Sequence, residues 1–541
     1  MILNSFLCIF AYISLIGYGY LVNIFLSIKY KSLSSLFILG FILQTLILQI
    51  HYIFLPINLK TTFFYIIVSL ISFIYFKNFS FINLFKNNKI LTIIFIIFFV
   101  LLQSTSIQYP TNFNIPDFYL YHKNYINWVN NYPVIEGLAL LNPRHGYAGI
   151  TYLNAAYYNF FPIFNNGWAI LTPTFILFFL TVFFKELKKV YEIKSDEINL
   201  SKIFILLSYY LIFKIILIIN KAETSHFLIF TIIALYLFYL LLRLYENFNK
   251  KELILIIVIS IFLPTILFSL SIYSFFIFLL IVLICYKKNN FLFLEYKTHI
   301  IIYSLLIILP FLYLNFLKTG YFFFPVTFFE SLVNLDTKWS LAPSLGMDLI
   351  KGAASYNWAK EKNLSIALIT NWPPFYLSLI LIPIISLKFF FIKKTKNFIN
   401  LFLFCTFMVI IWYFSAPEQR YGTPYVWTLL FFEIALILYS FEFKFIKIEK
   451  KLIIISCVII LNLSQLIRYY DVVKINFNYD YPKFFIEHYD KILKNNIEYI
   501  IVDHEKLLIY NGDSLFVTEN LNDFKFIQKN DKPYFEHTRI K

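Results

Sequence analysis

The stretch LILIIVISIFLPTILFSLSIYSFFIFLLIVLICY, Leu253 to Tyr286, decides the fold. A helix that spans the hydrocarbon core of a membrane needs about 20 apolar residues. The stretch is therefore too long for one span, but it can hold two short ones. Pro264 interrupts the apolar run, and Ser269 and Ser271 supply polar positions for a tight turn. We predict two helices here, joined by that turn.

Apolar runs of similar length continue on both sides of this stretch. Hydrophobic residues make up 60% of the chain and charged residues 14%, whereas a soluble domain carries about 25% charged residues. The fold class is therefore an all-α polytopic membrane protein with about fourteen transmembrane helices. The predicted spans are 3–27, 34–55, 62–76, 90–107, 164–184, 203–219, 226–242, 253–267, 270–286, 299–317, 375–392, 398–414, 423–441 and 452–467.

The positive charges indicate orientation. The net charge is +16, and Lys and Arg cluster on alternate loops, which is the positive-inside pattern. This pattern accounts for the basic balance without nucleic acid as a partner. It predicts a multi-pass protein of the bacterial cytoplasmic (inner) membrane, in contact with membrane lipids. Both termini then lie on the outer, periplasmic side, provided that Leu253–Tyr286 forms two spans.

This topology divides the chain into six parts. The tail contains alternating apolar residues and an Asn511-Gly512 turn signal, which predict a small C-terminal α/β appendage with a helix near Pro482–Lys494. The parts are N-terminal helices (1–107), a first outer loop with interfacial helices (108–160), a transmembrane core (161–317), a second outer loop (318–374), C-terminal helices (375–467) and an outer soluble tail (468–541).

The first outer loop contains the principal catalytic candidates. Asp117 follows a predicted span, and apolar and aromatic residues recur at helical spacing from Phe118 to Val129. This predicts an interfacial helix with its aromatics at headgroup depth. Asp117 is either the cap of that helix or a general base or metal ligand. His122 is either structural or a second catalytic residue.

A turn later in the same loop could bind an anion. The segment VIEGLALLNPRHGYAG contains Glu136, Arg144 and His145 between Gly and Pro residues. Arg suits a phosphate because its guanidinium donates two parallel hydrogen bonds. The alternative is a surface Arg that meets lipid headgroups. The Pro-Arg-His-Gly turn favours a binding site.

The second outer loop holds charged and aromatic candidates. Asp336, Lys338 and Trp339 form one cluster, and Trp358 follows in NWAK. Their aromatic rings could stack on a sugar face. Amphipathic helices on the bilayer surface would use the same residue types.

A short predicted outer loop, SAPEQRYGTP, carries Glu418 and Arg420 between two spans. Charges this close to the bilayer are costly unless they pair or bind a ligand. The two residues either pair with each other or bind substrate, with Arg420 on a lipid-linked phosphate. Their location on the same side as the other two loops favours substrate.

These segments together resemble the GT-C superfamily, membrane glycosyltransferases that use polyprenyl-phosphate-linked sugars. The pieces PDFYLYH, GLALLNPRHGY, TGYFFFP, DTKW, NWAK and APEQRYG, in this order between Pro110 and Val426, are also similar to a family of bacterial polytopic membrane proteins. Many GT-C enzymes show two adjacent acids in the first loop, whereas this sequence has Pro116-Asp117-Phe118.

The resemblance implies an inverting sugar transfer. Asp117 would deprotonate the acceptor hydroxyl or bind a divalent metal, Mg or Mn, and Arg144 and Arg420 would hold the donor phosphate. The function we expect is transfer of a sugar from a polyprenyl-phosphate donor to a cell-envelope glycan, lipid or protein on the outer face of the membrane. The alternatives are an O-antigen or capsule polymerase or ligase, and a lipid-linked glycan flippase. A flippase should line the membrane midplane with ionisable groups. Such groups are few in the apolar runs, where Lys214 and Glu433 are the main ones, and this scarcity counts against transport.

Overall fold

The computed structural model describes most of the helical part of the chain and the strands of the tail. The described residues are 2–25, 30–75, 122–146, 149–160, 168–192, 198–219, 226–267, 270–287, 297–327, 340–342, 372–391, 395–415, 419–440, 491–494, 497–502, 505–508, 524–529 and 532–537, with the single positions 344, 347, 452, 455 and 456.

Long apolar helices dominate, and three short helices follow the third of them. Two 3-10 turns occupy Pro143–His145 and Lys396–Phe398. The helices are α1 (Ile2–Phe25), α2 (Leu33–Phe54), α3 (Leu59–Tyr75), α4 (Lys123–Asn131), α5 (Leu138–Leu141), α6 (Thr151–Tyr157), α7 (Trp168–Glu192), α8 (Leu200–Ile219), α9 (His226–Glu246), α10 (Lys250–Ile266), α11 (Ser271–Lys287), α12 (Lys297–Thr319), α13 (Pro373–Phe391), α14 (Ile399–Ser415) and α15 (Gln419–Ser440).

The predicted pair of helices across Leu253–Tyr286 is confirmed. Helix α10 ends at Ile266, and α11 begins at Ser271. Pro264 lies inside the last turn of α10 and does not end it. The chain turns at Leu267, whose carbonyl oxygen accepts a 2.9 Å hydrogen bond from the backbone N–H of Leu270.

The helices make this chain a multi-pass helical membrane protein. Within the described residues, seven helices are long and apolar enough to cross a membrane, and four shorter apolar helices accompany them. A helix lies at every predicted span except 90–107, which is outside the described residues, and 452–467, of which three positions are described. The helix count of about fourteen stays a prediction.

The helices pack around two centres. Helix α1 contacts α2, α3 and α7, while α15 contacts α8, α9, α13 and α14. Close approach between α1 and α2 depends on glycine, because a Cβ added to Gly40 would lie 1.7 Å from the carbonyl oxygen of Leu15. Helix α12 lies at the periphery and exposes apolar side chains that suit contact with lipid tails: Ile301, Ile302, Leu305, Leu306, Leu309 and Tyr313.

Charged side chains pair at the helix ends that the sequence assigns to the cytoplasmic side. Glu186 accepts a 2.6 Å hydrogen bond from Lys189, and Arg243 of α9 forms an ion pair with Glu252 of α10. Both pairs lie at helix ends that the alternation of Lys and Arg clusters predicts to be cytoplasmic.

The tail contains the predicted β-structure. Strands β1 (Lys491–Lys494), β2 (Ile497–Val502) and β3 (Glu505–Leu508) form an antiparallel sheet, and β4 (Phe524–Lys529) pairs with β5 (Lys532–His537). The helix expected over Pro482–Lys494 is wrong at its last four positions, because β1 pairs there with β2; the rest of that segment and the Asn511-Gly512 turn lie outside the described residues. Strand β5 contacts α5, so the tail lies beside the segment that carries Arg144 and His145.

Candidate functional site

The described part of the first predicted outer loop, residues 122–146 and 149–160, docks into the membrane helices. Helix α4 packs against α6, α6 packs against α2 and α7, and α5 packs against α12. The loop is therefore fixed against three long helices.

A buried polar network holds α6 to α2. The Gln44 side-chain amide donates to Asn154 Oδ1 at 2.8 Å, and Asn154 Nδ2 donates to Thr45 Oγ1 at 2.9 Å. The hydroxyl of Tyr158 donates to Gln44 Oε1 at 3.0 Å. Buried polar groups that satisfy one another in this way fix a single arrangement of the loop.

A second set of bonds ties α4 to the same scaffold. Asn130 Nδ2 donates to the carbonyl oxygens of Ile57 at 2.6 Å and Ala156 at 3.0 Å. Asn159 Nδ2 donates to Asn130 Oδ1 at 2.7 Å. These bonds anchor the end of α4 to α6 and to the connection between α2 and α3.

The aromatic face of α4 packs into the protein. Protein buries Tyr125, Trp128 and Val129, so these side chains do not face lipid headgroups, and the depth of α4 in the membrane stays a prediction. The helical spacing identified an apolar stripe, but the docked loop covers that stripe with protein. Tyr121 and Asp117 lie outside the described residues, so the choice between cap and catalytic residue for Asp117 stays open.

His122 precedes α4 and is buried beside α6. The Tyr152 hydroxyl forms a hydrogen bond with His122 Nδ1, and the two rings stack with centroids 5.2 Å apart. One ring nitrogen of this predicted catalytic residue is therefore engaged by a tyrosine. That contact orients the imidazole.

The 3-10 turn Pro143–His145 presents the next two candidates. The Asn142 side-chain oxygen accepts a 3.0 Å hydrogen bond from the Arg144 backbone N–H and caps the turn. The Arg144 side chain is half-buried, whereas His145 is 0% exposed. The ring of Tyr125 lies 5.6 Å from that of His145. The Pro-Arg-His-Gly turn thus directs the His145 side chain into the protein interior.

Lys318, near the end of α12, lies beside the Pro143–His145 turn. Its side chain is 3% exposed. Its Nζ donates to the Gly146 carbonyl oxygen at 3.3 Å and lies 5.6 Å from the centre of the Tyr125 ring. A cation over an aromatic face is attracted to the ring. We call Arg144, His145 and Lys318 the basic cluster.

Gly146 allows the turn to approach α12 closely. A Cβ at this position would lie 2.7 Å from the Phe324 ring and 2.9 Å from Thr319 Cγ2. Thr319, Phe324 and the residues between them belong to the predicted TGYFFFP segment. The basic cluster therefore joins the first outer loop to the beginning of the second.

The imidazole of His145 is neutral at physiological pH. Burial, followed by the nearby Lys318 and Arg144, lowers the pKa of His145 to about 3. Neither ring nitrogen forms a hydrogen bond within the described residues, although the backbone of Leu138 lies close. A neutral imidazole can donate one hydrogen bond and accept another.

This pKa gives His145 a predictable effect on stability. The unfolded chain takes up a proton as the pH falls through 6.5, whereas the folded chain does so at about 3. Folding stability should therefore fall between these values, by at most roughly 4 kcal/mol from this residue. In a His145→Gln variant that loss should be absent. Thermal unfolding of both proteins from pH 7 to pH 3 measures the difference, and parallel curves would contradict it.

The remaining predicted residues have different outcomes. Glu136 is exposed and precedes Gly137, whose backbone is left-handed with a φ of 72°. The backbone of Arg420 belongs to α15, but its side chain lies outside the described residues, and Asp117, Asp336, Lys338, Trp339, Trp358 and Glu418 lie outside them entirely. The convergence of Asp117, Arg144 and Arg420 on one cleft stays a prediction.

The metal prediction also stays open. Among the described residues, no three His, Cys, Asp or Glu side chains are grouped so as to hold a metal ion. Asp117, the predicted ligand, is outside that part of the chain.

Lys318 and Tyr152 belong to the site but were not predicted from the sequence. A signal for Lys318 was present, because a Lys at the outer end of a predicted span departs from the positive-inside pattern. Tyr152 offered no such signal, since its role depends on contact with His122, 30 residues away.

The comparisons with known proteins establish the family. No curated protein and no solved structure matches the chain. Residues 1–427 match the family model described as a domain of unknown function, DUF8201. That match includes the helices from α1 to α14, the basic cluster and the first residues of α15. The chain belongs to the DUF8201 family.

Proposed function

We propose that the protein is a membrane glycosyltransferase. It would move a sugar from a polyprenyl-phosphate donor to a cell-envelope glycan, lipid or protein on the outer face of the cytoplasmic membrane. The observation that carries this proposal is the basic cluster: Lys318 is buried at the end of a membrane helix, and Arg144 belongs to the same cluster. Guanidinium and ammonium groups at such a site suit a lipid-linked phosphate.

Helix α12 supports a lipid-linked donor. Its face from Ile301 to Tyr313 exposes apolar side chains, and Lys318 lies about one turn beyond that face. A polyprenyl chain could remain in the bilayer along α12 while its phosphate reaches Lys318. A free nucleotide sugar has no lipid chain that could lie along this apolar face of α12.

Each candidate side chain would have a separate role in the transfer reaction. Arg144 and Lys318 would bind the donor phosphate, and neutral His145 would hydrogen-bond to it or to a sugar hydroxyl. Asp117 would accept the proton of the acceptor hydroxyl as that oxygen attacks the anomeric carbon. The bond from that carbon to the phosphate oxygen breaks, and polyprenyl phosphate leaves with the electron pair. A divalent metal, if bound by Asp117, would stabilise the phosphate charge.

The contact between β5 and α5 supports the location that we propose. It places the tail beside the basic cluster, and the Lys and Arg clusters of alternate loops predict the cytoplasm on the other side. The basic cluster and the tail would then share the periplasmic side.

Reconstitution tests the proposal. The full chain in lipid vesicles is incubated with a panel of polyprenyl-phosphate sugars, and mass spectrometry measures release of polyprenyl phosphate and transfer or hydrolysis of the sugar. We expect release from one donor class and none from nucleotide sugars. Native mass spectrometry in the same vesicles measures donor binding. Absence of both binding and release across the panel would overturn the proposal.

A further inference from the structure

Glu433 occupies an unusual position inside α15. Its side chain is 0% exposed. Within the described residues, neither carboxyl oxygen has a hydrogen-bond partner. It lies 14 residues after Gln419, about 21 Å along the helix from that end, which places it in the membrane interior. Burying an unpaired carboxylate there is far more costly than burying the neutral acid.

Other acids on the membrane helices are paired. Glu186 accepts a hydrogen bond from Lys189, and Glu252 pairs with Arg243. Glu246 accepts hydrogen bonds from the backbone N–H of Ser201 at 2.9 Å and from its hydroxyl at 2.6 Å. Glu433 differs from all three, because the described residues supply it with no such partner.

A series of polar side chains leads from the outer end of the bundle toward Glu433. The Tyr273 ring of α11 lies 5.7 Å from that of Tyr425, two turns before Glu433 on α15. Cys405 of α14 is close enough to interact electrostatically with both Tyr273 and Glu433. The buried Tyr273 hydroxyl has no hydrogen-bond partner among the described residues.

The charged groups on neighbouring helices lie toward the Ser440 end of α15. Helices α8, α9, α13 and α14 pack against α15. Lys388 of α13 donates to the Ser440 hydroxyl at 2.9 Å, and Glu246 of α9 interacts with Tyr439. Lys202 of α8 interacts with Glu246 and so belongs to the same end. The side chain of Lys214 lies outside the described residues. Of the described titratable groups, Cys405 is the one that interacts with Glu433.

We propose that Glu433 is a proton-binding site in the membrane interior, which exchanges its proton with the outer side along Tyr273 and Cys405. A proton from water adds to one carboxylate oxygen, forms the O–H bond of the neutral acid, and leaves by the same route. Water molecules beside the unpartnered Tyr273 hydroxyl would conduct it, since buried water occupies sites lined by such groups. This inference does not depend on the proposed glycosyl transfer.

Infrared spectroscopy and carbodiimide labelling test the inference on the full chain in vesicles. Dicyclohexylcarbodiimide, an apolar reagent, modifies protonated carboxyl groups. We expect an adduct at Glu433 at pH 7 and none at the paired Glu186. The C=O stretch of a protonated carboxyl should be present in wild type and lost in Glu433→Gln. Absence of that band from the wild-type protein at pH 7 would overturn the proposal, whether or not the reagent reaches the site.

The route is tested separately. The carboxyl band shifts when the protein is transferred to deuterated water, and the rate of that shift reports proton exchange. We expect slower exchange in Tyr273→Phe and unchanged exchange in Tyr313→Phe, which removes a tyrosine hydroxyl from the exposed face of α12. Equal rates in both variants would overturn the route.

Discussion

Replacing Lys318 with methionine should weaken binding of a polyprenyl-phosphate donor about 10-fold to 100-fold. Methionine keeps most of the length and apolar character of the side chain but removes its charge. A hydrogen bond to a charged partner contributes roughly 1.5–3 kcal/mol, and each 1.4 kcal/mol changes affinity tenfold. Native mass spectrometry or the KM for the donor measures the loss.

The matched control for this experiment is Lys60→Met. Lys60 is exposed in the first turn of α3, and the predicted topology places it on the same side of the membrane. The Lys60→Met substitution removes a lysine charge, as Lys318→Met does, but leaves the basic cluster unchanged. If Lys318 only supports the fold through its bond to Gly146, its substitution should lower the melting temperature and leave the donor affinity unchanged. That outcome would remove Lys318 from the binding site.

Hydropathy predicted the membrane helices because each must satisfy a local requirement. A span that faces lipid needs apolar side chains and internal backbone hydrogen bonds along its whole length, and the sequence shows such runs directly. The division of Leu253–Tyr286 was predictable for the same reason. Pro264 was a less certain marker of the turn, because its missing N–H is tolerated within the last turn of α10.

The candidate site was only partly predictable, since long-range packing assembles it. Local composition identified Arg144 and His145 through the Pro-Arg-His-Gly turn. It could not show that Lys318 meets Gly146, which is 172 residues away. Nor could it show that Tyr125 and Trp128 face protein, because the helical period reports an apolar stripe but not what covers it. Contacts of this kind depend on how the loop docks onto α2, α7 and α12.

The second large effect is expected for Asp117→Asn, which should lower turnover by roughly 10²–10⁴-fold if Asp117 is a general base. Two roles remain for this residue, and this substitution separates them. Asn caps a helix about as well as Asp, so a purely structural Asp117 should tolerate the change. A base or anionic metal ligand should not, because the change removes its negative charge.

The comparison is decisive when expression and thermal stability stay near those of the wild type. Activity is then measured in two ways, by turnover in vesicles and by complementation of a deletion strain. A catalytic Asp117 predicts that the Asn variant still binds donor, because Arg144 and Lys318 are intact, yet transfers little sugar. Full complementation by the Asn variant would instead assign Asp117 to the helix cap. The base would then have to be sought around Glu136, Asp336 or Glu418, the candidate acids selected from the sequence in the three predicted outer segments.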